Sequence, residues 1–148
     1  MNQGIIRKPL LLDIESIIRI WLESNIQAHP FIHSDYWLNN IGYMREVLPE
    51  SEVYVYEQNG SIVGFIGLEN HHIAGLFVDR KYQSQGIGTR LIEFIKKKYF
   101  SLTLNVYKKN DKALLFYQKQ NFITAKEMID TNNNEVELLM IWNRTNHI

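Results

Sequence analysis

Leu76-Phe77-Val78-Asp79-Arg80-Lys81-Tyr82-Gln83-Ser84-Gln85-Gly86-Ile87-Gly88-Thr89-Arg90 is the stretch on which both the fold and the chemistry of this chain turn. An apolar run ends a strand, a polar loop follows, and two glycines open a segment in which Ile87, Leu91, Phe94 and Ile95 recur at helical spacing. The start of such a helix leaves backbone N–H groups without partners and concentrates positive potential there. Glycines at 86 and 88 let an anion approach the backbone closely, Thr89 adds a hydroxyl, and Arg80, Lys81 and Arg90 add charge nearby. A pyrophosphate would suit this place. The dinucleotide fingerprint G-x-G-x-x-G fails because residue 91 is Leu, and the P-loop pattern is absent. Two glycines taken alone are served equally well by a tight strand–helix turn in which they only ease packing.

Upstream of this stretch, Ile5-Ile6-Arg7 reads as a short strand ended by Pro9. Ile14, Ile17, Ile18, Trp21 and Leu22 predict an amphipathic helix from Asp13 to about Ser24. Asn25 to His33 reads as irregular, with Pro30 as a breaker. Ser34 or Asp35 can cap a second helix whose apolar face is Trp37, Ile41, Met44 and Leu48, with Pro49 beyond its end. From Glu52 the period changes to that of strands. Val53–Tyr56, the Asn59-Gly60 turn and Ile62–Ile66 predict a hairpin, since Asn-Gly tolerates the positive φ of a type I′ turn. His72–Val78 is the next strand, and Gly75 inside it predicts a bulge or a close backbone approach.

Downstream, the helix opened by the glycines should end near Tyr99, with Lys96-Lys97-Lys98 as a solvated end favoured by the helix dipole. Leu102–Val106 is a strand. Asn110 can cap a helix carrying Ala113, Leu114 and Tyr117 that ends near Asn121, and Phe122–Ile129 and Glu135–Trp142 are strands joined by an asparagine-rich turn. The predicted order is β-α-α-β-β-β-α-β-α-β-β, a mixed sheet with helices on its faces in one α/β domain spanning 1–148.

The 148 residues suit one domain, and the chain lacks cysteine, which excludes disulfides, Cys-ligated zinc, iron–sulfur clusters and thiol nucleophiles. Sixteen basic residues offset sixteen acidic ones, which argues against nucleic acid or an anionic membrane as partner. The N-terminal residues do not read as a signal peptide and no apolar run is long enough for a membrane span, so a cytoplasmic protein is the default expectation.

Gln83-x-x-Gly86-x-Gly88 after an apolar strand resembles the acyl-CoA signature Q/R-x-x-G-x-G/A of the GCN5-related N-acetyltransferases, the GNAT superfamily. Asn110-Asp111-Lys112-Ala113-Leu114-Leu115-Phe116-Tyr117, followed by Asn121-Phe122, resembles that family's N-x-x-A-x-x-F-Y…G-F pattern, and the element order matches its fold. Trp21-Leu22-Glu23-Ser24, Ala28-His29-Pro30-Phe31-Ile32, Tyr36-Trp37 and Leu104-Asn105-Val106-Tyr107 resemble the bacterial YiaC/YjaB-type members, a group associated with protein lysine acetylation. Two departures stand out: Gln83 and Gln85 replace basic residues of the pyrophosphate loop, and Asn121 replaces the glycine before Phe122, where asparagine still tolerates a left-handed helix cap.

The resemblance implies a GNAT-like acyl-CoA N-acyltransferase fold. It also implies an acetyl-CoA-dependent N-acetyltransferase acting without metal on a primary amine, such as a protein lysine or N-terminus. A small metabolite or antibiotic amine as acceptor, or a non-catalytic acyl-CoA-binding module, are the alternatives. The expected partners are acetyl-CoA and the amine acceptor, with the chain as monomer or homodimer. Acetyl-CoA would lie where the Ile73–Val78 strand splays from Leu102–Val106, held by Leu76, Phe77, Val78, Gln83, Ser84, Gln85, Gly86, Ile87, Gly88, Thr89, Arg90, Asn105, Asn110, Phe116 and Tyr117. The backbone N–H of Val78 or Phe77 would hold the oxyanion.

Tyr117 would be the acid that protonates the departing thiolate, its bland alternative being a buried ring beside Phe116. His72 is the expected base, with His29, His71 and a water-linked Glu69 as further candidates. Each of these is equally an ordinary structural or surface group. Asn105 is read either as a ligand contact or as a hydrogen-bonded sheet residue. His29, Phe31, Tyr36 and Trp37 would border the acceptor, whose alkyl stem suits aromatic walls; otherwise they are a satellite hydrophobic cluster.

Overall fold

The computed structural model describes residues 4–147. Met1 to Gln3 and Ile148, which the sequence reading includes in its N-terminal stretch and its 1–148 domain, lie outside the described residues. The elements run β1 (Ile5–Arg7), α1 (Ile14–Ala28), α2 (Ser34–Leu38), α3 (Ile41–Val47), β2 (Glu52–Gln58), β3 (Ser61–Glu69), β4 (His72–Val78), α4 (Ile87–Lys96), β5 (Ser101–Tyr107), α5 (Asp111–Lys119), β6 (Ile123–Asp130) and β7 (Glu135–Asn143). All these strands join one sheet in the order β1-β2-β3-β4-β5-β7-β6. Neighbours are antiparallel except β4 and β5, which run parallel. The expected mixed α/β architecture is therefore present, and Asn59 (φ 54°) and Gly60 (φ 78°) form the expected hairpin turn.

The helices differ from the expectation in three places. The first runs on to Ala28 because Asn25, read as the start of a loop, is accommodated inside it: its side-chain amide donates to the Trp21 carbonyl at 2.9 Å. The expected second helix is two. Asn40 turns its amide back onto the Tyr36 carbonyl at 2.6 Å, competing with the backbone ladder and separating α2 from α3. The cap of α2 is neither Ser34 nor Asp35 but His33, whose Nδ1 accepts from the Asp35 N–H at 3.1 Å. The third difference is that α4 ends at Lys96, short of Tyr99.

Period-two alternation along the strands divides the core between two faces of the sheet. Tyr54, Tyr56, Ile66, Ile73, Leu102, Leu104, Leu138 and Met140 pack with Leu91, Ile92 and Ile95 of α4 and Tyr117 of α5. On the other face Val53, Val55 and Phe65 pack with Ile17, Ile18 and Ile20 of α1, and with Leu48 just after α3. Among the described residues no helix is long and apolar enough to cross a membrane.

Two irregularities make room for a site. On β4, Gly67 of β3 faces Gly75 while Leu68 faces Ile73, so Ala74 is an extra residue and the strand bulges. A Cβ at Gly75 would come within 2.5 Å of the Phe77 ring, so a larger residue there would have to displace that ring. Beyond the bulge β4 leaves β5: the parallel register holds only for His72↔Thr103 and Ile73↔Leu104. The sheet therefore opens along Leu76–Val78, directly before the glycine loop.

Candidate active site

The opening between β4 and β5 leads into a cleft of about 560 Å³. Leu76, Phe77 and Val78 form one wall, Ser84, Gly86, Ile87, Gly88 and Thr89 the floor at the start of α4, and Asn110, Phe116 and Tyr117 the opposite wall on α5. Two motifs far apart in sequence are thus brought together. Their contact is close: a Cβ on Gly88 would meet the Phe116 ring at 3.2 Å, so the second glycine of the pair lets α5 lie against α4.

The loop is built for an anion. Ser84 (φ 66°) and Gly86 (φ 83°) are both left-handed, which folds successive N–H groups into a concave turn. The first intrahelical bond of α4 is Arg90 N–H to the Gly86 carbonyl at 3.0 Å, leaving the N–H groups of Ile87, Gly88 and Thr89 ahead of it. Gln83, also in the lining, donates from Nε2 to the Val78 carbonyl at 3.1 Å and ties the loop to the end of β4.

The register of β4 decides which backbone groups face the gap. Asp79 N–H bonds to the Val63 carbonyl at 2.7 Å, and Phe77 is opposite Phe65. In an antiparallel pair alternate residues bond to the partner, so Phe77 and Asp79 are committed to β3. The N–H groups of Leu76 and Val78 turn toward the splay. Of the two oxyanion donors expected from sequence, Val78 has the free direction and Phe77 does not.

Tyr117 is 9% exposed and packs edge-on to Phe116 and Phe122 at centroid distances of 5.3 and 5.8 Å. Burial pushes its pKa up from that of a free phenol, so it stays protonated at physiological pH. Asn110 caps α5 as expected, accepting from the Ala113 N–H at 3.3 Å, and its amide nitrogen lies 3.1 Å from His29 Nε2. Asn121 takes φ 71°, the left-handed cap expected of it.

His29 lines the same cleft and is 8% exposed. Its ring stacks on Trp37 at 5.5 Å and meets Phe31 and Tyr107 edge-on at 5.6 and 5.1 Å. Burial lowers its pKa, and because Asn110 Nδ2 can only donate, His29 Nε2 is the acceptor and the proton sits on Nδ1. Nδ1 itself is buried without a partner.

Several expected contacts fall elsewhere. Arg90 is outside the cleft lining: its guanidinium lies against the loop beside Gly86 and donates to the Tyr56 hydroxyl at 3.0 Å and the Gln85 carbonyl at 3.3 Å. Gln85 is exposed and outside the lining. Asn105 is exposed on the far face of β5, because Leu102, Leu104 and Val106 occupy the face toward α4 and α5. His72 precedes the bulge, bonds through Nδ1 to Thr103 Oγ1 at 2.7 Å, and lies four residues, roughly 13 Å, from Leu76. It is not among the residues lining the cleft. Trp37 is 7% exposed and held by Trp21, His29 and Tyr36, a core position rather than a wall of the cleft. Phe31 and Tyr36 are half-buried around it.

Sequence reasoning missed Lys112, Lys119 and Tyr82, which also line the cleft. The signal for the lysines was present: Lys112 and Lys119 are seven residues apart, two turns on one face of the helix that carries Phe116.

Residues 49–124 match the model of the acetyltransferase (GNAT) domain family. The peptidyl-lysine N-acetyltransferase YiaC of Escherichia coli is 35% identical over 119 residues, covering 79% of this chain and 82% of YiaC. The E. coli peptidyl-lysine N-acetyltransferase YjaB is 30% identical over 118 residues, 78% of this chain and 80% of YjaB. The solution structure of its apo form superposes with a TM-score of 0.83 at 27% identity, covering 94% of this chain and 97% of that one. PaiA N-acetyltransferase from Thermoplasma acidophilum, solved in complex with coenzyme A, shares the fold with a TM-score of 0.79 at 21% identity over 95% of this chain and 99% of its own. With the splayed β4, the glycine-opened α4 and the α5 wall all in place, the chain belongs to the GNAT family of acetyl-CoA-dependent N-acetyltransferases.

Proposed function

We propose that the chain is a single catalytic domain, residues 1–148, that moves the acetyl group of acetyl-CoA to the ε-amine of lysine in proteins. One observation carries the reading: the outward N–H groups of β4, the N–H-rich start of α4 and the buried phenol of Tyr117 all front one cleft. The likeness to YiaC and YjaB, both named as peptidyl-lysine N-acetyltransferases, supports lysine as the acceptor.

The α4 N-terminus and the left-handed Ser84–Gly86 turn hold the pyrophosphate of the substrate, and its pantetheine arm completes the sheet beside Leu76–Val78. A neutral amine attacks the thioester carbon. The charge that develops on the carbonyl oxygen is met by the Val78 N–H. As the C–S bond breaks, the Tyr117 hydroxyl donates its proton to the thiolate and regains one from solvent. Among the described residues the cleft lining holds no carboxylate, and the histidine there, His29, has Nε2 engaged by Asn110. That lining supports water as the acceptor of the amine's proton.

Incubation with acetyl-CoA and either lysine-containing proteins or small amines, read by thiol release and by mass spectrometry of the acceptor, tests the proposal. Thiol release coupled to ε-acetyl-lysine is the expected result. Turnover confined to small amines would replace the acceptor class, and no turnover with any amine despite CoA binding would leave a binding module.

A further inference from the structure

Lys112 projects from the first turn of α5 across the cleft mouth, where its Nζ donates to Gln83 Oε1 at 3.1 Å. Its neighbours in sequence are neutralised, Lys108 by Glu127 at 3.1 Å and Lys109 by Glu135 at 3.2 Å. Lys112 has only the uncharged amide of Gln83 among the described residues. The loop that binds the anion is short of charge on the cleft side. Positions 83 and 85 are glutamines, Arg90 is turned onto Tyr56, and neither Arg80 nor Lys81 is in the lining.

We propose that Lys112 is the cation that binds the pyrophosphate of acetyl-CoA, supplied from α5 in place of the basic residues the loop lacks. The inference rests on the cofactor reading above and adds a residue to it. Gln83 spans the two sides: its Nε2 is fixed on the Val78 carbonyl, so its Oε1 holds the lysine at the edge of the Ser84–Gly86 turn. A phosphate oxygen arriving on the Ile87 and Gly88 N–H groups offers Nζ a charged acceptor. A charge-assisted bond outweighs a neutral amide bond, so the lysine exchanges Gln83 for the ligand. The ammonium, a compact charge on a flexible stem, needs little rearrangement to do so. Lys108, paired with Glu127 and outside the cleft lining, serves as the control.

Isothermal titration of the whole chain with CoA, dephospho-CoA and acetyl-pantetheine separates the possibilities. Lys112→Met should weaken CoA and dephospho-CoA alike, by roughly tenfold to a hundredfold. It should leave acetyl-pantetheine, which has no pyrophosphate, unchanged. Lys112→Arg should restore most of the affinity, and the penalty should shrink as KCl is raised. Lys112 is exposed, so the fold should survive; Lys112→Gln repeats the test with a polar isostere. Unchanged CoA affinity would overturn the proposal. So would a loss equal for acetyl-pantetheine, which would mark a structural role, or a loss for CoA but not dephospho-CoA, which would assign the lysine to the 3′-phosphate. A loss from Lys108→Met as large as that from Lys112→Met would also overturn it. If the unaltered chain bound no CoA, the cofactor reading itself would fall, a result distinct from all of these.

Discussion

The Asn110 side chain joins two ends of the site: its oxygen caps α5 at the Ala113 N–H, and its nitrogen meets His29 Nε2 at 3.1 Å. The last residue before Pro30 on one side of the sheet is thereby tied to the helix that carries Tyr117 on the other. The bond between Asn110 Nδ2 and His29 Nε2 holds only while His29 is neutral, because an imidazolium nitrogen would face the Asn110 NH₂ as donor against donor.

This has a consequence for stability. Burial lowers the His29 pKa in the folded chain below its unfolded value of about 6.5. Below that pH the unfolded chain binds more protons, so stability falls as pH drops from about 7 toward 5 and is flat above. His72, whose pKa burial also lowers, adds to the same slope. His29→Asn should be less stable at pH 7 but lose less on going from pH 7 to pH 5. Urea titrations of both proteins at several pH values measure this, and parallel curves would show that His29 protonation does not destabilise the fold.

The glycines of the loop act by different means. At Gly86 an added Cβ finds space, its nearest contact being the Arg90 guanidinium at 3.8 Å, but φ is 83°. Gly86→Val therefore costs conformational strain, on the order of 1–3 kcal/mol, and relaxes by deforming the anion turn. Gly88 has ordinary φ but faces Phe116 at 3.2 Å, so Gly88→Val should push α5 away from α4. Both should lose CoA affinity. In Phe116→Ala, which opens the space, Gly88→Val should cost less than in the parent, while Gly86→Val should cost the same. Calorimetry of the four combinations reads the coupling.

Trp37 and Tyr36 are adjacent, yet the structure gives them different work. Trp37 is enclosed, so Trp37→Ala should cost about 3–5 kcal/mol and act through unfolding. Tyr36, half-buried beside it at 4.8 Å, is the better reporter of the acceptor. Tyr36→Ala should raise the KM for the acceptor and leave that for acetyl-CoA unchanged. Steady-state kinetics with both substrates varied would decide, equal effects on the two KM values placing Tyr36 outside the acceptor site.

The parts legible in the sequence are those set by local rules. The Asn59-Gly60 turn, the Asn110 cap, the Asn121 left-handed cap and the glycines before Ile87 each announce a backbone conformation through one or two residues. What could not be read depends on partners distant in sequence. Arg90 looked like a loop cation because nothing local shows that Tyr56 would take it. Asn105 and His72 looked like site residues until strand alternation and the Ala74 bulge fixed which way they face. Lys96, read as part of a solvated helix end, instead donates to the Gln120 carbonyl and sits 4.9 Å from the Trp142 ring. The cleft itself arises where β4 stops pairing with β5, a long-range event that no window of sequence displays.

Tyr117 provides the sharpest test of the chemistry. Tyr117→Phe keeps the ring packing on Phe116 and Phe122 and removes the hydroxyl, for which no bond within the chain would be left broken among the described residues. The fold should therefore keep its stability to within about 1 kcal/mol, the net worth of an ordinary hydrogen bond. If the hydroxyl protonates the departing thiolate, kcat should fall by ~10²–10⁴, the usual contribution of general acid catalysis. CoA affinity should hold, because the hydroxyl acts on charge that appears only late in the reaction. Since burial raises the phenol pKa, the parent enzyme should show no alkaline loss of kcat from this group below about pH 10. Any rising limb at lower pH then belongs to deprotonation of the acceptor amine, and it should persist in Tyr117→Phe. Rapid-quench measurement of the transfer step across pH separates chemistry from product release. A variant whose transfer step runs at the parental rate would leave Tyr117 as a packing residue of the cleft wall, with the thiolate protonated by water.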